Sequence, residues 1–172
     1  MFLNGLKTKS IIRKLKKAIA SRSYTPSRKP IRRIGILQEG NVPFDVKKIK
    51  LLTTALGIKE KDVEVLSYIP KLSKDQKNDS DVYSESGIGW NATLKTIALK
   101  DFVARDFDIL LSYYTEDRLP LQLISGLSRA TFKVGLMKEE QSLHDLVITT
   151  AMGEESIFIT ELEKYLRILK IL

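Results

Sequence analysis

The sequence predicts a three-layer α/β domain with a mainly parallel sheet, and three observations lead to this fold class. Short apolar runs with the length of buried strands alternate along the chain with stretches of helical spacing. Successive β-α-β units of this kind form parallel strand pairs with right-handed crossovers. The length of 172 residues is enough for one domain with a buried core. We therefore expect a single α/β domain over residues 33–172, with helices on both faces of its sheet.

The order of the elements follows from apolar spacing and from the turn residues between them. Apolar runs predict strands at residues 34–37, 63–69, 107–113, 132–136 and 145–149. Apolar residues three or four apart predict helices at residues 44–57, 119–130 and 154–172. Gly57 is a typical helix stop, since glycine adopts the left-handed conformation that follows a helix.

Three segments of this domain carry more specific expectations. Residues 70–88 are polar and predict a long, mobile loop. Residues 91–103 fit a helix or a strand equally well. In the last helix, the spacing predicts an inward face of Ile157, Leu162, Tyr165, Leu166 and Leu169.

The excess positive charge is confined to the first fifth of the chain. Residues 1–33 contain eleven basic residues and no acidic one, whereas the other 139 residues hold 18 basic and 21 acidic residues. The body is therefore slightly acidic, although the whole chain has a formal net charge of +8. Such asymmetry indicates a polyanion or an anionic surface as the partner. We call residues 1–32 the basic arm.

The basic arm divides into a helix at residues 6–20 and an extended linker at residues 21–32. Ile11, Leu15 and Ile19 are four residues apart and share one face of the helix, while lysines and arginines cover the other side. Two prolines and several small hydroxylated residues disfavour regular structure in the linker. The apolar face requires a partner, which is lipid, protein or the domain itself.

The charges of the arm favour a non-enzymatic, RNA-associated protein in the cytoplasm, with the ribosome as the expected partner. Lysine and arginine neutralise phosphates and release counterions, which gives affinity independent of base sequence. A tyrosine among these charges can stack on an exposed base. The candidate nucleic-acid-binding residues are Lys7, Lys9, Arg13, Lys14, Lys16, Lys17, Arg22, Tyr24, Arg28, Lys29, Arg32 and Arg33.

A second hypothesis places the arm at an anionic membrane surface or a membrane protein complex, such as one at the inner membrane. A basic helix with an apolar stripe can lie in a lipid interface. The absence of Trp and Phe from residues 6–20 weakens this hypothesis. No apolar run has the length of about 18 residues that spans a bilayer. An organellar transit peptide would share the composition of the arm.

A third hypothesis is a small ligand-binding domain or enzyme that uses the carboxyl ends of the strands. In open parallel sheets ligands bind beyond these ends. Residues 38–41 and 114–118 occupy them here and include Glu39, Glu116 and Asp117. Glu116 and Asp117 form a candidate acid/base pair, although a helix-capping turn explains them more simply. No small-molecule substrate is indicated by any motif.

Other candidate motifs are weak, and we expect no cofactor, no metal site and no catalytic residue. His144 and Asp145 can form a general base with an orienting acid, but a structural histidine is the more frequent case. The Gly-x-Gly at residues 87–89 lacks the third glycine of a dinucleotide fingerprint. Trp90 beside it is expected to fold onto the domain as a loop anchor. The sequence contains no cysteine, which excludes thiolate chemistry.

From Ile34 onward the chain resembles a small uncharacterised bacterial family known only as a domain of unknown function. The features that carry the resemblance are the basic helical arm and residues 107–112, 121–122, 128–135 and 144–146. Residues 107–135 are also similar to part of the N-terminal half of lipopolysaccharide heptosyltransferases. The chain lacks the second, nucleotide-sugar domain of those enzymes, so the likeness implies a Rossmann-like scaffold and not their activity.

Overall fold

The computed structural model describes residues 2–24, 29–79, 81–116, 118–136 and 143–172. Within these residues the chain forms a six-stranded sheet with the order β3-β2-β1-β4-β5-β6. Every neighbouring pair of strands is parallel. The strands are β1 (Ile34–Glu39), β2 (Val63–Tyr68), β3 (Val82–Tyr83), β4 (Ile109–Tyr113), β5 (Phe132–Gly135) and β6 (Leu146–Val147).

Helices cover both faces of this sheet, which confirms the three-layer α/β fold. The helices are α1 (Phe2–Ser21), α2 (Val46–Leu56), α3 (Ile97–Ala104), α4 (Leu119–Leu127) and α5 (Glu155–Ile168). The strand order reverses between β1 and β4, as in the doubly wound sheets of Rossmann-type domains. The Rossmann-like architecture with a preceding basic helix is therefore confirmed.

The two faces of the sheet bury separate hydrophobic cores because side chains alternate along each strand. Ile34 and Ile36 of β1 face the core under α2 and α5. Leu37 of the same strand faces the core that contains Ile11 of α1 and Leu99 of α3. Helix α1 therefore lies on the same face of the sheet as α3 and α4.

One sequence expectation for this fold was wrong, and one alternative that the sequence left open is decided. The polar segment at residues 70–88 contains β3, which pairs with β2 and buries Tyr83. The short strand was missed because only two residues form the ladder. Residues 97–104 of the ambiguous segment are helical and begin at Thr96, whose side chain accepts a hydrogen bond from the backbone N–H of Leu99.

The inward face of α5 is also rotated from the one that the sequence predicts. Phe158, Ile159, Leu162 and Leu166 are buried, whereas Ile157, Tyr165 and Leu169 are exposed. The helix has apolar residues on more than half of its circumference, so spacing alone could not decide which of them meet the sheet.

No helix in the described part of the chain is long and apolar enough to span a membrane.

Candidate nucleic-acid interface

The apolar face of α1 packs against the domain itself. Ile11 and Leu15 are only 3% and 4% exposed. Leu15 reaches Gly126 in α4, where an added Cβ would lie 2.5 Å from the Leu15 Cδ1 atom. The glycine therefore allows the two helices to approach closely. The sequence left three partners open for this face: lipid, protein or the domain itself. The structure shows that the partner is the domain.

Three cations of the arm hold α1 against the body through hydrogen bonds. The Lys7 ammonium donates to the Glu85 carbonyl at 3.1 Å, and the Lys14 ammonium donates to the Ala92 carbonyl at 3.0 Å. The Arg22 guanidinium binds both carboxylate oxygens of Asp145, one of them at 2.7 Å. These side chains stabilise the docked helix, and their charges are largely used within the protein.

A buried polar cluster lies under the C-terminal end of α1. The Asp145 carboxylate also accepts a hydrogen bond from the backbone N–H of Lys133 at 2.8 Å. The buried Lys133 ammonium donates to the carbonyls of Ser125 and Gly126, at 2.5 and 3.2 Å. These carbonyls belong to the last turn of α4, where the helix dipole favours a cation. Burial nevertheless lowers the pKa of Lys133 to about 7.

His144 belongs to this cluster but does not form the predicted base–acid pair. Its ring nitrogens are buried and have no hydrogen-bond partner among the described residues, and the Asp145 carboxylate is bound to Arg22. Burial, with the nearby Lys133 charge, lowers the pKa of His144 to about 4. A neutral histidine packed against Gly135 is a structural residue.

Four cations of α1 remain on its solvent side, and we call Lys9, Arg13, Lys16 and Lys17 the cationic face. All four are exposed, and within the described ranges none of them has a hydrogen bond or ion pair. Lys9, Arg13 and Lys16 follow i, i+4, i+7 spacing, so they lie in a row with Cβ atoms about 5–6 Å apart. This row can contact successive phosphates of one strand.

A groove of about 710 Å³ continues the cationic face toward the sheet. It lies between the C-terminal half of α1 and the connection from α4 to β5. The cations along it are Lys14, Lys17, Arg22 and Arg129, and no acidic residue lines it among those that the structure describes. Lys14 and Arg22 have the partners given above, and Arg129 pairs with Asp106 at 3.4 Å. Lys17 therefore carries the charge in this groove that is most available to an anionic chain.

The linker residues from Tyr24 onward lie apart from this surface. The Tyr24 ring packs against Phe132 with ring centroids 5.4 Å apart, which limits its use for stacking. Arg32 and Arg33 line a different groove, of about 580 Å³, that also contains Asp62, Asp106 and Asp108. Lys29 is exposed on the surface, and Arg28 lies outside the described residues.

After the carboxyl ends of β1 and β4, charged groups of the protein pair with one another. The Glu39 carboxylate is 3% exposed and pairs with the Arg118 guanidinium at 3.2 Å. Arg118 also binds Glu116. Burial raises the pKa of Glu39 in spite of this pairing. The predicted pair partner Asp117 lies outside the described residues. The arrangement thus gives Glu39 and Glu116 a shared cation, which explains both residues structurally.

The Gly-x-Gly segment and Trp90 form a loop beside α1. Ile88 bridges Leu94 in antiparallel fashion, and Gly89 donates to the Thr93 carbonyl at 2.7 Å. Only a single 3-10 turn (Trp90–Ala92) follows the glycines, and the next α-helix begins at Ile97, so the segment is not a dinucleotide loop. The expectation that Trp90 folds onto the domain was wrong, because this residue is 51% exposed. Its exposure depends on loop geometry that has no signal in the sequence.

These features define a Rossmann-like α/β domain whose basic N-terminal helix is docked against α4 and the turn at Trp90–Ala92. The chain belongs to DUF6913, a family of unknown function whose model matches residues 7–169. The match begins within α1, so it covers the docked helix as well as the body. No curated protein and no solved structure matches the chain. The resemblance to an uncharacterised family is confirmed, whereas the likeness to heptosyltransferases has no support.

Proposed function

We propose that the protein binds RNA through the cationic face of α1 and the adjoining groove, and that it does so without catalysing a reaction. The observation that carries this proposal is the cationic face, whose four exposed cations have no hydrogen bond or ion pair with any residue that the structure describes. Phosphates bind such cations through counterion release. Ribosomal RNA is the proposed source of this ligand in the cell.

The packing of α1 favours RNA over a lipid surface. Interfacial helices bury their apolar face in the membrane. In α1 the central residues of that face, Ile11 and Leu15, are already buried against the domain. The solvent side keeps Leu6 and Ile12 as its exposed large apolar residues among those described, and cations surround them.

A charge-matched pair of variants tests the proposal. The first variant replaces the cationic face with glutamine at all four positions. The control replaces Lys47, Lys50, Lys59 and Lys61 with glutamine, which removes the same charge from exposed positions away from α1. Affinity for a single-stranded RNA is measured by fluorescence anisotropy as a function of salt concentration.

We expect the first variant to lose most of its RNA affinity and the control to retain it. The slope of log K against log salt should fall by up to about 3 in the first variant, since each phosphate contact contributes about 0.7 for a single strand. Equal slopes in the two variants, or a wild-type affinity that salt does not change, would contradict the proposal. Co-sedimentation of both variants with ribosomes then tests the proposed source.

A further inference from the structure

Trp90 is a large aromatic side chain held in solvent next to the basic helix. It is the single tryptophan of the sequence and is 51% exposed. The loop that carries it contacts α1, because the Lys14 ammonium donates to the carbonyl of Ala92, two residues further on. Arg13 and Lys17 stand on either side of Lys14 in α1. The turn Trp90–Ala92 packs against α1, so the backbone that carries the ring lies beside this helix.

The loop holds Trp90 in a defined position, and its backbone adopts a rarely populated conformation to do so. Asn91 and Ala92 both adopt left-handed conformations, with φ of 54° and 53°. Asparagine adopts this conformation readily, but for alanine it is unfavourable and persists only when the surrounding structure enforces it. Here the backbone N–H and the hydroxyl of Thr93 both donate to the Trp90 carbonyl, at 3.1 and 2.9 Å. The result is a rigid turn that presents the ring outward.

An exposed aromatic ring next to cations is the combination with which proteins bind single-stranded nucleic acids. Each base offers a flat face that stacks on an aromatic side chain, while its backbone follows neighbouring positive charges. Bases paired within a duplex are stacked on each other and do not offer this face. The cations can contact the phosphates of either form, whereas the ring is the group that can distinguish a single strand from a duplex.

We propose that Trp90 is a stacking platform for an unpaired RNA base whose phosphates contact the cationic face of α1. This inference rests on the proposed function and narrows its ligand to single-stranded RNA. Ring exposure, the enforced loop and the neighbouring charge each support it. A duplex of equal charge would bind the cations but would not engage the ring.

The intrinsic tryptophan fluorescence of the protein tests the stacking role of Trp90 directly, because all of this fluorescence comes from Trp90. The full-length protein is titrated with single-stranded oligouridine of about 12 nucleotides, a length within the range that one binding domain covers. A double-stranded RNA with the same number of phosphates is titrated in parallel. We expect quenching with the single strand and little change with the duplex.

Substitutions at Trp90 complete the test. Trp90→Ala should lower the affinity for oligouridine about tenfold, within the range measured for one stacked base, and should leave duplex affinity unchanged. Trp90→Phe should retain most of the affinity because it keeps a flat ring. Tyr165→Ala is the matched control, since Tyr165 is an exposed aromatic with the Lys164 ammonium 5.2 Å from its ring centroid, but on α5. The control should bind like the wild type.

The outcomes separate this inference from the proposed function. If RNA binds with a salt slope but neither quenches Trp90 nor distinguishes Trp90→Ala, the stacking role is overturned and the proposed function stands. If neither RNA binds, both are overturned. A blue shift of the Trp90 emission with anionic phosphatidylglycerol vesicles, without any response to RNA, would assign the ring to a membrane surface and also overturn both.

Discussion

The carboxyl edge of the sheet and the solvent side of α1 are both rich in charge, but only one of them satisfies its charges internally. At the sheet edge, Arg118 pairs with Glu39 and Glu116. On α1, the cationic face has no such partner among the described residues. The position where this fold usually binds ligands is thus occupied by its own ion pairs. The charge that remains for an external partner lies on an element outside the sheet.

The same contrast divides the cations of the basic arm. Lys7, Lys14 and Arg22 have partners in the body, whereas Lys9, Arg13, Lys16 and Lys17 face solvent. The first group should therefore contribute to stability and the second to binding. The following predictions test this division, beginning with the largest effect.

The largest expected effect comes from undocking α1. Leu15→Ala should lower the free energy of unfolding by about 2–5 kcal/mol, because it leaves a cavity beside Gly126. The exposed residue Leu6 provides the control, and Leu6→Ala should change stability by less than about 0.5 kcal/mol. Urea unfolding measures both. Equal stability of the two variants would mean that the docking of α1 contributes nothing.

The second effect is a loss of stability in acid that arises from the cluster under α1. The pKa of His144 is about 4 in the folded protein and about 6.5 when unfolded. Between these values the unfolded chain binds the proton and the folded protein does not, so stability falls as the pH drops from 6.5 to 4. The two pKa values correspond to roughly 3 kcal/mol over this window.

His144→Gln removes this titration and provides its control. The unfolding free energy of the variant, followed from pH 7 to pH 4, should fall less steeply than that of the wild type. Parallel curves for the two proteins would show that His144 is not held neutral in the folded state.

The third effect concerns the carboxyl edge. Arg118→Ala should lower the free energy of unfolding by about 1–3 kcal/mol, since it leaves the buried Glu39 carboxylate without its cation. A second substitution, Glu39→Gln, should recover part of the loss because it removes the buried charge. Thermal unfolding of the single and double variants measures this coupling. RNA affinity should stay unchanged, and a loss of affinity would place this edge in the binding site.

The smallest expected effects come from two arginines of the basic arm, one that should contribute to RNA binding and one that should contribute to stability. Arg13→Gln should weaken RNA binding a few-fold and change stability by less than about 0.5 kcal/mol. Arg22→Gln should instead destabilise the protein by about 1–3 kcal/mol, because the Asp145 carboxylate loses its partner. RNA titrations and urea unfolding of both variants give the comparison. Similar effects of the two substitutions on both measurements would remove the distinction between structural and surface cations.

Much of the fold could be predicted from the sequence because strands and helices have different apolar periods. The runs at residues 34–37 and 107–113 predicted β1 and β4, and Gly57 predicted the end of α2. Strand β3 was missed because a two-residue ladder has no period. The inward face of α5 was assigned wrongly because several apolar residues compete for it, and only packing against the sheet selects among them.

The sequence by itself determined the α/β class, the confinement of positive charge to the arm and the apolar stripe of its helix, since these depend only on residue order. The tertiary structure decided which cations remain available. It turned Ile11 and Leu15 toward the domain, engaged Lys7, Lys14 and Arg22, and left the cationic face and Trp90 in solvent. The physical reason is that a charge pattern specifies what a helix can bind, whereas docking decides which of its faces is still free.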